Sequence, residues 1–243
     1  MRWHAVDLKA KNKRELMRVI DLTMPIADHF RWKVERRLVM DQDAGDHFHA
    51  SWIGMPVHAV THIDSRRHML PEGPTLDDTP MSHLVGTWHI IDISDIGENQ
   101  PVERKRLESA AEHLPERASV LMKSCWGTRQ SFEDKEFWTR APYMTREACE
   151  FLLEREIRAI AFDFPQDYSI RYSITGGTCE FDEHVTHDTL LRHGVTLIEY
   201  LTNTESLSGD KVFLCALPIK IAGTDGAPAR VIAMEDMDRP GIF

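Results

Sequence analysis

The eleven residues His58-Ala-Val-Thr-His62-Ile-Asp64-Ser-Arg-Arg-His68 decide how the rest of the chain is read. They hold three imidazoles and a carboxylate, the ligand chemistry of zinc, manganese or non-haem iron. The spacing also constrains the backbone. In a continuous helix His58 and His62 would share a face while Asp64 and His68 would lie more than a quarter-turn away. In a straight strand all four would share a face but spread by about 3.3 Å per residue, too far for one ion. Convergence therefore requires a turn between Thr61 and Asp64, and the preceding run 49–57 reads as a strand delivering its end to that turn. The alternative is a histidine-rich surface loop, which this mixture of donors disfavours. His47 and His49 alternate on the same expected strand face with no carboxylate placed beside them, and read as structural or solvent-facing.

Working outward, His187 lies near the start of a short helix expected over 186–192 and stopped by Gly194, and Glu199 lies in the following strand VTLIEYL. From His187 to the helix end the chain climbs on the order of 9 Å at ~1.5 Å per residue, and from Val195 to Glu199 it returns about 13 Å at ~3.3 Å per residue. The two side chains can meet at one level. Glu199 is a charge inside an apolar strand, which is costly unless it faces a cation or a metal; a salt bridge to an arginine is the competing reading.

Short β-rich runs recur at 19–22, 37–40, 87–93, 119–123, 157–162, 195–200, 212–219 and 230–234. Helical patterns fall between some of them, at 102–113 and at 145–156, the latter opening on a cap, Thr145, with Glu147 in the first turn. Strands mixed with helices but not strictly alternating predict an α/β fold with a mixed sheet flanked by helices. No repeat, low-complexity tract or linker divides the 243 residues, so the chain reads as a single domain over 1–243.

A net charge of −10 gives phosphate backbones and anionic membranes no electrostatic reason to bind, so no nucleic acid and no membrane partner is expected. The polar segment 1–16 lacks the apolar core of a secretory signal, and no later run approaches the ~20 apolar residues that span a bilayer. A cytoplasmic location is expected. Cys125, Cys149, Cys179 and Cys215 are widely separated and form no Cys-x-x-Cys pair, so they read as ordinary thiols. The thirteen histidines, by contrast, exceed what packing needs.

The ordered set of motifs resembles the cyclase family of metal-dependent hydrolases, of the kynurenine formamidase and isatin hydrolase type. The family pattern His-x-Gly-Thr-His-x-Asp-x-x-x-His stands here as HAVTHIDSRRH, and VIDLTMPI (19–26), LVGTWHIIDIS (84–94) and SVLMKSCWG (119–127) are similar to family segments. HDTLLRHGVTLIEYL (187–201) and FLCALPIKIAGTDGAPARVIA (213–233) complete the series. The resemblance implies a swivelling β/β/α domain, usually a homodimer or homotetramer. It implies one or two divalent ions, Zn2+ or Mn2+, held by His58, His62, Asp64, His187 and Glu199, with Asp64 bridging if two are bound. It also implies that His68 is the catalytic acid/base and, by a loose alignment eleven residues after Asp21, that Trp32 binds substrate.

Three departures bear on this. The family glycine is Val60, so the backbone there is expected not to need a glycine-only conformation. An Ala-Pro pair common after the aspartate is Ser65-Arg66, and an Asp-Thr-Pro-Ser-x-Asp segment appears as DFPQDY (163–168); these alter the expected pocket wall. Arg66 and Arg67 are candidates to neutralise a substrate carboxylate, although exposed arginines flanking a loop are commonly solvated.

Independently of family, an ion held by imidazole and carboxylate with an open position brings the pKa of water from near 16 toward about 7. Amide or lactone hydrolysis follows, and the resemblance implies that the small-molecule substrate is an aryl formamide or a cyclic amide. A lactone hydrolase, a metal-dependent oxygenase using two histidines and a carboxylate, and a non-catalytic protein with a closed structural metal remain as alternatives.

Overall fold

The computed structural model describes residues 17–111 and 114–235; segment 1–16 and the last two positions of the helix expected over 102–113 lie outside the described residues. Among the described residues the strands are β1 (Arg18–Asp21), β2 (Glu35–Met40), β3 (Ala50–Gly54), β4 (His62–Asp64), β5 (Val85–Asp92), β6 (Pro101–Val102), β7 (Ser119–Lys123), β8 (Tyr143–Met144), β9 (Ala159–Phe162), β10 (Thr196–Glu199), β11 (Lys211–Pro218) and β12 (Gly226–Glu235). The α-helices are α1 (Arg104–Ala110), α2 (Lys135–Thr139), α3 (Arg146–Glu154) and α4 (Tyr172–Thr175).

Eight strands form one mixed sheet in the order β1-β12-β11-β5-β7-β9-β10-β4, and β4 pairs again with β12. Seven of them thereby close into a barrel-like ring, with β1 extending along β12. The run β5, β7, β9, β10 is parallel and the other pairings are antiparallel. Closure depends on the length of β12. Its first residues, Gly226 to Pro228, pair with β4, and its later ones pair with β11 and β1.

Alternation along the strands produces two apolar layers. Leu121, Ala159, Ala161, Ile198, Leu214, Ala216 and Ala227 share an inner cluster, and so many alanines leave little bulk to hold the ring open. Val120, Met122, Ile160, Phe162 and Leu197 face the opposite way, into a cluster with Leu107, Trp138, Cys149, Leu152 and Leu190. Strands buried on both faces read as continuous apolar runs, which is why AIAF and TLIE were visible in the sequence. The expectation of a mixed sheet flanked by helices changes in one respect: the buried residues of α1, α2 and α3 all lie in the outer layer, and the inner face is covered by the sheet itself. In α3 the Thr145 hydroxyl accepts the Ala148 N–H at 3.2 Å, as its sequence position predicts.

β2 and β3 form a separate hairpin whose Leu38, Val39, Trp52 and Ile53 are exposed. His47 and His49 do not share a strand face: both lie in the irregular connection before β3, exposed, and His49 Nδ1 does have an acidic neighbour, Asp41 Oδ1 at 3.3 Å. No helix among the described residues is long and apolar enough to cross a membrane.

Candidate metal centre

His62 and Asp64 are two residues apart on β4 and so project from one face. The antiparallel register places Glu199 of β10 directly across from His62. His62 donates its Nδ1–H to the carbonyl of Val60 at 2.8 Å, which leaves Nε2 facing Asp64 Oδ1 at 3.2 Å and Glu199 Oε2 at 3.6 Å. His187 repeats this arrangement from a different element, the π-helical turn His187–Leu191. Its Nδ1 is paired with Asp167 Oδ2 at 2.6 Å, and its Nε2 lies 3.5 Å from Asp64 Oδ2 and 3.4 Å from Glu199 Oε1. Each ring thus has one nitrogen tied down and the other turned toward the carboxylates, the usual posture of a ligating imidazole.

His58 comes from the turn before β4. Its Nδ1 is 2.7 Å from Asp64 Oδ1 and its Nε2 2.7 Å from Asp225 Oδ2. The turn that folds it back falls earlier than the sequence indicated, since 62–64 is already strand and the reversal sits at Val60, with φ of +52°. The expectation that this position avoids a glycine-type backbone is therefore corrected. A β-branched residue in the left-handed region costs about 1–2 kcal/mol. The surroundings hold it there: the Val60 carbonyl is engaged by His62, its side chain is buried, and the next hydroxyl, on Thr61, donates to Tyr200 O and accepts from Met24 N.

His68 follows on the single turn Arg66–His68, with its ring centroid 3.9 Å from that of His58 and 5.5 Å from that of His187. Two groups of potential ligands result, His58, Asp64 and His68, and His62, Asp64 and Glu199, each with its donor atoms within 4.8 Å of one another. Asp64 belongs to both.

Burial pushes the Asp64 carboxyl up, but the imidazoles of His62, His187 and His58 outweigh it and hold the group well below its usual range. The converse acts on His58, where burial opposes protonation but the Asp64 and Asp225 carboxylates raise it to about 9. His68 is lowered, first by burial, with the charges of His58 and His187 adding to it against the pull of Asp64. Asp64 Oδ2 is buried and accepts no hydrogen bond. A buried, ionised oxygen that accepts no hydrogen bond, with an imidazole nitrogen, His187 Nε2, 3.5 Å away, fits a cation between them, and a donor set of nitrogen and oxygen alone suits zinc or manganese.

A proton-linkage result follows. With its pKa raised from 6.5 to about 9, His58 in the metal-free protein contributes stability that is fully present below about 6.5 and lost as pH rises through about 9. At pH 7 it carries a proton that a cation must displace, so metal uptake is expected to release protons and to weaken as pH falls. Calorimetry in buffers of different ionisation enthalpy measures this; uptake at pH 7 with no proton release would remove His58 from the ligand set.

Trp32 is buried, edge-on to Trp138 at 5.2 Å and 5.9 Å from Tyr200, whose ring lies 5.3 Å from His62. It stands one aromatic ring away from the donors. The DFPQDY segment is more than a wall: Asp167 orients His187 and accepts the Thr186 N–H, the Gln166 amide donates to Glu199, and Asp163 collects donors from Ser124, Cys125 and Thr204. Arg66 donates to the carbonyl of Arg192, and Arg67 is exposed. The sequence reading missed Asp167, Gln166 and Asp225; the last stood inside a quoted motif, GTDGAP, with no chemical role attached to it.

A mixed barrel with a buried nitrogen–oxygen donor cluster on its closing strands is the class of protein that fold and site define. The profile of the cyclase family, described as "Putative cyclase", matches residues 20–166, more than half of the chain, and the chain belongs to that family. The match ends before His187 and Glu199. Among characterised relatives, a kynurenine formamidase of Bacillus cereus is 29% identical over 179 residues, covering 73% of this chain and 76% of that protein. A solved structure described as a potential metal-dependent hydrolase with cyclase activity is 27% identical, with a TM-score of 0.68 over 90% of this chain and 98% of the other. Isatin hydrolase A from Labrenzia aggregata, 24% identical with a TM-score of 0.72 over 90% of this chain and 93% of its own, shares the fold.

Proposed function

We propose that this chain is a divalent-metal-dependent hydrolase that cleaves a C–N bond in an aryl formamide or a cyclic amide. The observation carrying the reading is the buried Oδ2 of Asp64, which accepts no hydrogen bond, at the junction of two donor groups. The relation to kynurenine formamidase supports the choice of bond. His58, His62, Asp64, His187 and Glu199 would hold one or two ions, Zn2+ or Mn2+. Such an ion supplies water acidified toward a pKa of about 7 and polarises the carbonyl under attack.

The chain's own residues do the rest. Asp167 and the Val60 carbonyl fix the rings of His187 and His62 before any cation arrives. His68, kept neutral at pH 7 by its lowered pKa and about a third exposed, has Nδ1 toward Asp225 and so offers Nε2 for proton transfer. That nitrogen takes the proton from the attacking water and returns it to the leaving nitrogen. Trp32, which keeps 8% of its surface exposed, would pack against an aryl ring, with Trp138 and Tyr200 buried behind it.

The deciding experiment is a screen of N-formylkynurenine, isatin and simple lactones against protein reconstituted separately with zinc and manganese, with and without oxygen. Turnover of a lactone alone redirects the substrate, dependence on oxygen makes the protein an oxygenase, and metal uptake without turnover of any of them makes the metal structural. In the same screen Trp32→Ala is expected to raise KM for the aryl substrate at unchanged metal content; an unchanged KM places Trp32 in the core only. We further propose a homodimer or homotetramer acting in the cytoplasm. The exposed Leu38, Val39, Trp52 and Ile53 on the hairpin support self-association, and light scattering at micromolar concentration reads it directly.

A further inference from the structure

We propose that Asp225 and Gly226 are positioning residues that together form the seat of His58. Gly226 gives the ring room and Asp225 fixes which nitrogen faces Asp64. The proposal rests on reading the cluster as a metal centre.

The first residue of β12, Gly226, is paired with Asp64 in the closing register of the barrel. A methyl group built on it would lie 2.7 Å from His58 Cε1, 3.1 Å from His58 Nδ1 and 2.9 Å from the carbonyl oxygen of Ile63. Two of these contacts are too close for any side chain, and one is with backbone that cannot swing aside. Any residue larger than glycine therefore displaces the ring or opens the β12–β4 pairing. Gly226 is required here for space, since it is not among the residues with positive φ.

Asp225 acts on the other side of the same ring. Its Oδ2 is 2.7 Å from His58 Nε2 and 3.4 Å from His68 Nδ1. Its own backbone is anchored to the metal loop, because its carbonyl accepts both the N–H and the hydroxyl of Ser65, at 2.9 and 3.0 Å. A ring that donates one N–H to a carboxylate presents its other nitrogen as the base, with its orientation fixed. Asp225 does for His58 what Asp167 does for His187 and the Val60 carbonyl does for His62. All three imidazoles then have a partner behind them, each drawn from a different part of the chain, and Asp225 also faces His68.

The test measures Zn2+ and Mn2+ affinity by competition with a chromophoric chelator for the wild type, Asp225→Asn, Gly226→Ala and His62→Ala, with circular dichroism of each metal-free protein. Asp225→Asn keeps the shape of the side chain and is expected to stay folded while binding about 10–100-fold more weakly, the usual consequence of losing an outer partner. Gly226→Ala is expected to lose at least as much; should it fail to fold, Asp225→Asn decides alone. Wild-type affinity in a folded Asp225→Asn, with His62→Ala impaired, overturns the seat and leaves the metal centre standing. A wild type that takes up neither ion, or a His62→Ala that binds as the wild type does, overturns the metal centre and the seat with it.

Discussion

Asp64→Ala is expected to lose bound metal and turnover together, and more completely than any histidine substitution in the cluster. His58→Ala removes a donor from one group and His62→Ala from the other, whereas Asp64 is common to both. It is also the buried negative charge around which His58, His62 and His187 gather, so its removal takes away the one carboxylate that all three share. Loss of an outer partner costs about 10–100-fold in metal affinity, and loss of the shared carboxylate should exceed the upper end of that range. Elemental analysis of purified variants, paired with activity at matched protein concentration, reads both quantities. An Asp64→Ala protein with full metal content and full turnover would exclude it from the site.

The second large effect is expected at His68, and its signature is opposite. If His68 moves a proton rather than holding an ion, His68→Ala keeps most of its metal while kcat falls by on the order of 10² to 10⁴. Burial lowers the pKa of His68 below its ordinary 6.5. The neutral form is the competent base, so the wild-type rate should rise with pH through a value below 6.5 and then level, and that limb should vanish in the variant. Because His68 also lies within ligand reach of Asp64 and His58, metal content is the deciding number. A variant that loses metal in step with activity makes His68 a ligand, and the base must be sought elsewhere.

The longer strands were legible in the chain. Eight β-rich runs correspond to β1, β2, β5, β7, β9, β10, β11 and β12, because strands of four or more residues leave a pattern long enough to read. β4, β6 and β8 left none. They are two or three residues long, and β4 carries two site residues, His62 and Asp64, in place of apolar side chains. The closure of the sheet was also hidden, since a linear pattern gives the faces of strands but not which edges meet. His187 and Glu199 could be brought together on paper because one helix and one strand connect them. Asp225 could not: it reaches His58 from 167 residues away, through a pairing that only the closed ring creates. Val60 shows a different limit. Residue type argued against a left-handed backbone, but three fixed hydrogen bonds around it override that preference.

The pairing of β12 with β4 also sets a schedule. During synthesis the loop bearing His58, His62 and Asp64 leaves the ribosome long before the strand that completes its surroundings, with the length of most of the domain between them. Contacts of such separation form late, after the intervening chain has collapsed. Until Gly226 and Asp225 arrive, the donors sit on an unclosed sheet edge with one ring unsupported. The nascent protein should therefore hold a cation at this site more weakly until β12 has docked, so that tight retention of the ion reports closure of the ring.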